Sequence, residues 1–144
     1  MIFNACSTSE EINNLDSISE PTLAAFQFGE PITTKQQAVI AARLGINASR
    51  LHFVGEPRAV RVEEMTRKQA EQIVRSSNQG AIDATSPTDL PVWFVVFESI
   101  YHITPPGPDA SPLPQKHGCV FVILNSQDGA PLQVGGEIPC PTKQ

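Results

Sequence analysis

Residues 92–97, Val92-Trp93-Phe94-Val95-Val96-Phe97, form an unbroken apolar run, matched in length only by residues 119–124. It is strand length and apolar at both parities, which predicts a central strand buried on both faces. Downstream, residues 119–124 predict a second strand. Gln127-Asp128-Gly129 then reads as a tight turn, with Leu132 and Val134 on a return strand. A three-residue loop there sets Val122 opposite Val134 and Leu124 opposite Leu132, both pairs on one face. Upstream, Val60 and Val62 alternate with Arg61 and Glu63, and residues 51–54 make a weaker strand, with Pro57 as a break between the two.

Helical periodicity occurs twice. Thr33 with Gln36, or Thr34 with Gln37, has capping-box spacing before the small apolar face of Ala38, Val39, Ala41, Ala42 and Leu44. Gly45 is expected as a left-handed C-cap, followed by Ile46. Thr66 with Gln69 repeats the capping-box signal, and Met65 with Ala70 fits a hydrophobic staple. Ala70, Ile73 and Val74 then form the buried stripe. Five prolines between residues 104 and 116 exclude a helix or central strand and predict a long crossing loop. The resulting expectation is an α+β fold, with helices packed on one face of a short antiparallel meander.

Composition narrows the function. Residues 1–30 are polar and read as a tether; residues 31–144 read as one domain. Leu23, Phe26 and Phe28 are the apolar exceptions, able to dock the end of the tether. The net charge is −5, and the 10 Lys and Arg residues are scattered, so no basic stripe for nucleic acid is expected. No stretch has the length of a membrane-spanning helix.

Three cysteines leave two economical readings: three free thiols in the cytosol, or one bridge and one modified cysteine in an exported protein. The hairpin register brings Cys119 close to Glu137 and hence near Cys140, with Gly135-Gly136 as a bulge that closes the gap. A Cys119–Cys140 disulfide, and with it export, is therefore expected. Two reduced cysteines near a strand end are the alternative.

Candidate chemistry is sparse. His102, His117 and Cys119 have no recognised zinc spacing, so neither a metal nor a cofactor is expected. Adjacent carboxylates such as Glu63-Glu64 point to opposite faces of a strand and make no acid–base pair. The expectation is a domain that is not an enzyme. Trp93, Phe97 and Tyr101 share one face of the central strand. They pack in the core or, where exposed, make a binding surface.

The combination of Ile32-Thr33, Ala38 and Ala41-Ala42, then the 92–97 strand, then Val120-Phe121-Val122-Ile123-Leu124-Asn125 with Asp128-Gly129, resembles the PepSY and PepSY-like domains. The resemblance spans about residues 31–136 and implies a cystatin-like fold, a helix on a short antiparallel meander, in an exported bacterial protein. It transfers no catalytic residue. The second helix and the proline loop depart from the simplest pattern. A cystatin-type Gln-x-Val-x-Gly loop is not matched, because Gln133-Val134-Gly135 has different spacing and lies in a strand. Phe3-Asn4-Ala5-Cys6-Ser7 resembles the end of a bacterial lipoprotein signal, which implies a lipid on Cys6 as the sole membrane attachment. The alternative is a free cysteine in a polar tail. The functional expectation is a non-enzymatic, exported interaction module at the cell surface, binding a protein or peptide partner. The alternative is a protease inhibitor or modulator acting through an edge strand or the proline loop.

Overall fold

A computed structural model describes residues 29–76 and 89–141. The elements in order are α1 (Lys35–Asn47), β1 (Leu51–Phe53), β2 (Arg58–Thr66), α2 (Arg67–Ser76), β3 (Pro91–Ile103), β4 (Lys116–Asn125) and β5 (Pro131–Ile138). The fold class is α+β, as the periodicities imply. The expected tether falls outside the described residues except for its last two, and so do Leu23, Phe26, Phe28 and Cys6.

All strand pairs are antiparallel. β3 is the long central strand. One of its edges pairs with β4, which pairs in turn with β5. Its other edge is shared: β1 pairs with Tyr101–Ile103 and β2 with the N-terminal two thirds. β1 and β2 are thus two parts of one edge, interrupted at residues 54–57, where Gly55 and Pro57 stand.

Each helix begins where its capping signal lies. Thr34 Oγ1 accepts from the Gln37 amide at 3.1 Å, and Gln37 Oε1 accepts from the Thr34 amide at 3.2 Å. Thr66 and Gln69 repeat the exchange at 3.2 and 2.9 Å. Two orphan amides are satisfied at each helix start, worth about 1 kcal/mol per capping residue.

The helices do not share a face, which corrects the one-face expectation. α1 packs with Ala38, Val39, Ala41, Ala42 and Ile46 on Trp93, Val95, Phe97, Val120, Val122 and Leu124. α2 packs with Ala70, Ile73 and Val74 on Val92, Phe94, Val96, Phe121 and Ile123. The reason is in β3 and β4 themselves. Both are apolar at consecutive positions, so a single helical layer would leave half of that surface in water. Covering each fully buried Val, Ile or Phe gains about 1.5–3 kcal/mol, enough to demand the second layer.

Gly45 is not a C-cap. It is inside α1, and the cap is Ala48 in right-handed geometry. A Cβ on Gly45 would stand 3.2 Å from the Pro131 side chain, so the glycine is explained by close approach of α1 to β5.

The β4–β5 turn uses the expected residues. Asn125 Oδ1 accepts from the Gln127 amide, Asp128 Oδ1 from the Ala130 amide, and Gly129 takes φ 75°. Val122 pairs with Val134 as expected, but Leu124 pairs with Pro131 rather than Leu132 because the register shifts beyond Ile123. Leu132 therefore packs on the α2 side while Leu124 packs under α1. A second shift between Cys119 and Phe121 lies opposite Gly136 and Glu137, one residue beyond the expected Gly135-Gly136 bulge, and sets Cys119 against Ile138. The Cys119–Cys140 disulfide closes there, with Cα atoms 5.3 Å apart. That separation is ordinary for a bridge.

Candidate functional site

Trp93, Phe97 and Tyr101 do lie on one face of β3, and that face is the core. They are 7%, 1% and 1% exposed. Trp93 Nε1 donates to the Ile32 carbonyl at 3.2 Å, and Phe97 meets the edge of Phe53. These residues are corrected from a possible binding surface to packing beneath α1 and its entry segment. Gly29 and Ile32 hold that segment to the hairpin turn through the Asp128 and Ser126 carbonyls.

Two accessible regions of the described residues lie mainly on the α2 side of the sheet. The first is an open groove of about 430 Å³ lined by Arg61, Glu63, Glu64, Met65, Gln69, Gln72 and Ile73. Its origin is local. α2 follows β2 without a loop, so the helix turns back over the sheet beside the strand that precedes it. Ala70, Ile73 and Val74 are drawn onto the core, while Gln69 and Gln72 stay at the rim. Glu63 and Glu64 point to opposite faces of β2, as their partners Phe94 and Trp93 require. That both line the groove means it reaches round the edge of the strand. β2 pairs with β3 alone among the described strands, and a strand at the edge of a sheet can pair with another chain through its backbone N–H and C=O groups.

The groove's charged side chains have local partners. Arg61 Nε donates to Glu63 Oε2 at 2.8 Å, and its guanidinium lies 5.4 Å from the centre of the Phe94 ring. Ser126 Oγ donates to Glu64 Oε2 at 3.1 Å. Among the described residues the lining contains no Ser, Cys, His or Lys. Its chemistry is hydrogen bonding by amide side chains and backbone, charge pairing, and apolar contact through Met65 and Ile73.

The second region is the far end of the same sheet face, beyond the reach of α2. Alternation from Phe94 and Val96 brings Glu98, Ile100 and His102 to this face of β3. Register adds His52 from β1, opposite His102, and Val54, whose amide donates to the Ile100 carbonyl. Val54 and Ile100 are 46% and 42% exposed. Glu98 accepts from Arg58 at 2.8 Å and lies 3.7 Å from His117 Nε2. Among the described residues no group of three or more His, Cys, Asp or Glu converges as a metal site, and no helix is long and apolar enough to cross a membrane. His117 and Cys119 are separated in role: one pairs with Glu98, the other is bridged.

Neither region was singled out from sequence. Arg61 and Glu63 read as the polar positions of an alternating strand, and Gln69 as a capping residue. Only the reversal of α2 over β2 makes them one surface. Comparison of the chain with protein-family models, curated proteins and solved structures finds no match.

Proposed function

We propose that the chain is a non-enzymatic interaction module, exported and closed by its disulfide, that takes an extended peptide segment along the outer edge of β2 at residues 61–65. The observation that carries this reading is the groove between α2 and the outer edge of β2, a strand that pairs with β3 alone among the described strands. Strand addition gains affinity from main-chain hydrogen bonds, and flanking side-chain contacts supply selectivity. Here a peptide strand would pair with β2, with one row of its side chains toward Met65, Ile73, Gln69 and Gln72. The paired Arg61 and Glu63 favour a ligand of mixed polarity over a strongly charged one. The same geometry would let the domain modulate a protease by engaging an extended segment.

The Cys119–Cys140 bridge supports an oxidising location. Export, with lipid on Cys6 as the tether, is part of the proposal. So is a PepSY-like relationship, supported by a helix laid across an antiparallel meander. The test is selection from a random-peptide display library against the disulfide-intact chain. Selected peptides should lose binding on Gln72→Lys and Arg61→Ala, and keep it on Ile100→Ser at the far end of the sheet. Retention on the first two variants, or failure to select any binder, would overturn the reading.

A further inference from the structure

The three histidines of the chain, His52, His102 and His117, come from three different strands. All three meet on the sheet end that α2 leaves open. His52 and His102 are direct cross-strand partners in the β1–β3 register. Their ring centres are 5.3 Å apart, tilted by 41°. The geometry points to a two-histidine site for a divalent transition metal, with His52 and His102 as ligands and the remaining coordination positions open to water or a partner's side chain.

Three observations carry this. Directly opposed residues of an antiparallel pair have Cβ atoms about 4.5–5.5 Å apart, so two imidazoles there are held at chelating distance by the backbone. Two imidazoles that share an ion at about 2.0–2.1 Å per nitrogen, with a near-tetrahedral angle, have ring centres about 5 Å apart. The observed ring-centre spacing matches that separation. Finally, His102 Nδ1 is buried and has no hydrogen-bond partner. Coordination through that atom would satisfy a lone pair that the protein leaves unmet. Imidazole ligands suit Zn²⁺ and Cu²⁺ best among the common divalent ions. His117 is not a ligand in this arrangement, since its imidazole lies beside Glu98.

The site is separate from the β2 groove and stands or falls independently of it. The probes are Zn²⁺ by titration calorimetry and Cu²⁺ by electron paramagnetic resonance. Both use the full chain carrying Cys6→Ser, so that the third cysteine does not compete for metal. One ion should bind per chain, and the Cu²⁺ spectrum should show two equatorial nitrogens. His52→Gln and His102→Gln should each weaken binding at least roughly tenfold, as loss of one intramolecular ligand dictates. His117→Gln should leave it unchanged. His52 is exposed on a three-residue edge strand, so its variant should keep the parent circular dichroism even if His102→Gln does not. No binding at millimolar Zn²⁺, a single-nitrogen spectrum, or unchanged affinity in His52→Gln would overturn the assignment. So would equal weakening by His117→Gln.

Discussion

Gly136 of β5 lies against the ring of Tyr101 so closely that a Cβ there would stand 3.0 Å from the phenol oxygen and 3.1 Å from Cε2. Tyr101 is fully buried on β3, two strands away in the sheet. Its ring therefore spans β4, beside Gly118, to reach β5. One contact thus ties the centre of the sheet to its far edge, next to the disulfide. Gly136→Ala should destabilise the domain by about 1–3 kcal/mol, the usual cost of forcing a methyl group into a packed core. Chemical denaturation measures it. An unchanged midpoint would mean that the ring has room to move.

Removing the bridge should be costly by a different route. Cys119 and Cys140 are 21 residues apart. The chain-entropy model gives a loop of this size about 3 kcal/mol. The Cys119→Ala, Cys140→Ala double variant should lose about that much in urea denaturation, with the register of β4 and β5 retained. A loss below about 1 kcal/mol would show that the hairpin turn and the Tyr101 contact already hold this end closed.

Trp93 separates packing from recognition. It is buried beneath the entry to α1 and donates to the Ile32 carbonyl. Trp93→Ala should cost about 3–5 kcal/mol. Trp93→Phe keeps most of the volume but orphans that carbonyl, and should cost about 1–3 kcal/mol. Thermal unfolding of both variants checks this. A Trp93→Ala domain of parent stability would return the aromatic row to the surface.

Much of this architecture was legible in local patterns. The two capping boxes, the Asn125 to Gly129 turn and the double-sided apolar run of β3 each act over a few residues, and each forms as its chemistry dictates. The disulfide followed because the turn sets the register that brings Cys119 and Cys140 together. What escaped was longer in range. Helix sidedness depends on how β4 adds to the apolar area of β3, a sum over two strands. The role of Gly45 depends on Pro131, more than eighty residues away, and so reads as a cap from its neighbours alone. The shift beyond Ile123 slips Leu132 to the opposite face, where a strict period of two would keep it beside Leu124. The candidate surfaces were least visible, because each joins residues of separate elements that only the tertiary fold brings together. His52 and His102 are fifty residues apart and meet only through the pairing of β1 with β3.

Strand addition at the outer edge of β2 is read directly by amide hydrogen exchange. On addition of a library-selected peptide, amides within residues 61–65 should slow, because outward N–H groups of β2 gain strand partners. Side-chain signals of Met65 and Ile73 should shift with them. Exchange in β2 that stays at its free rate, while protection appears along β5 or at Val54 and Ile100, would contradict the account and move the binding surface elsewhere.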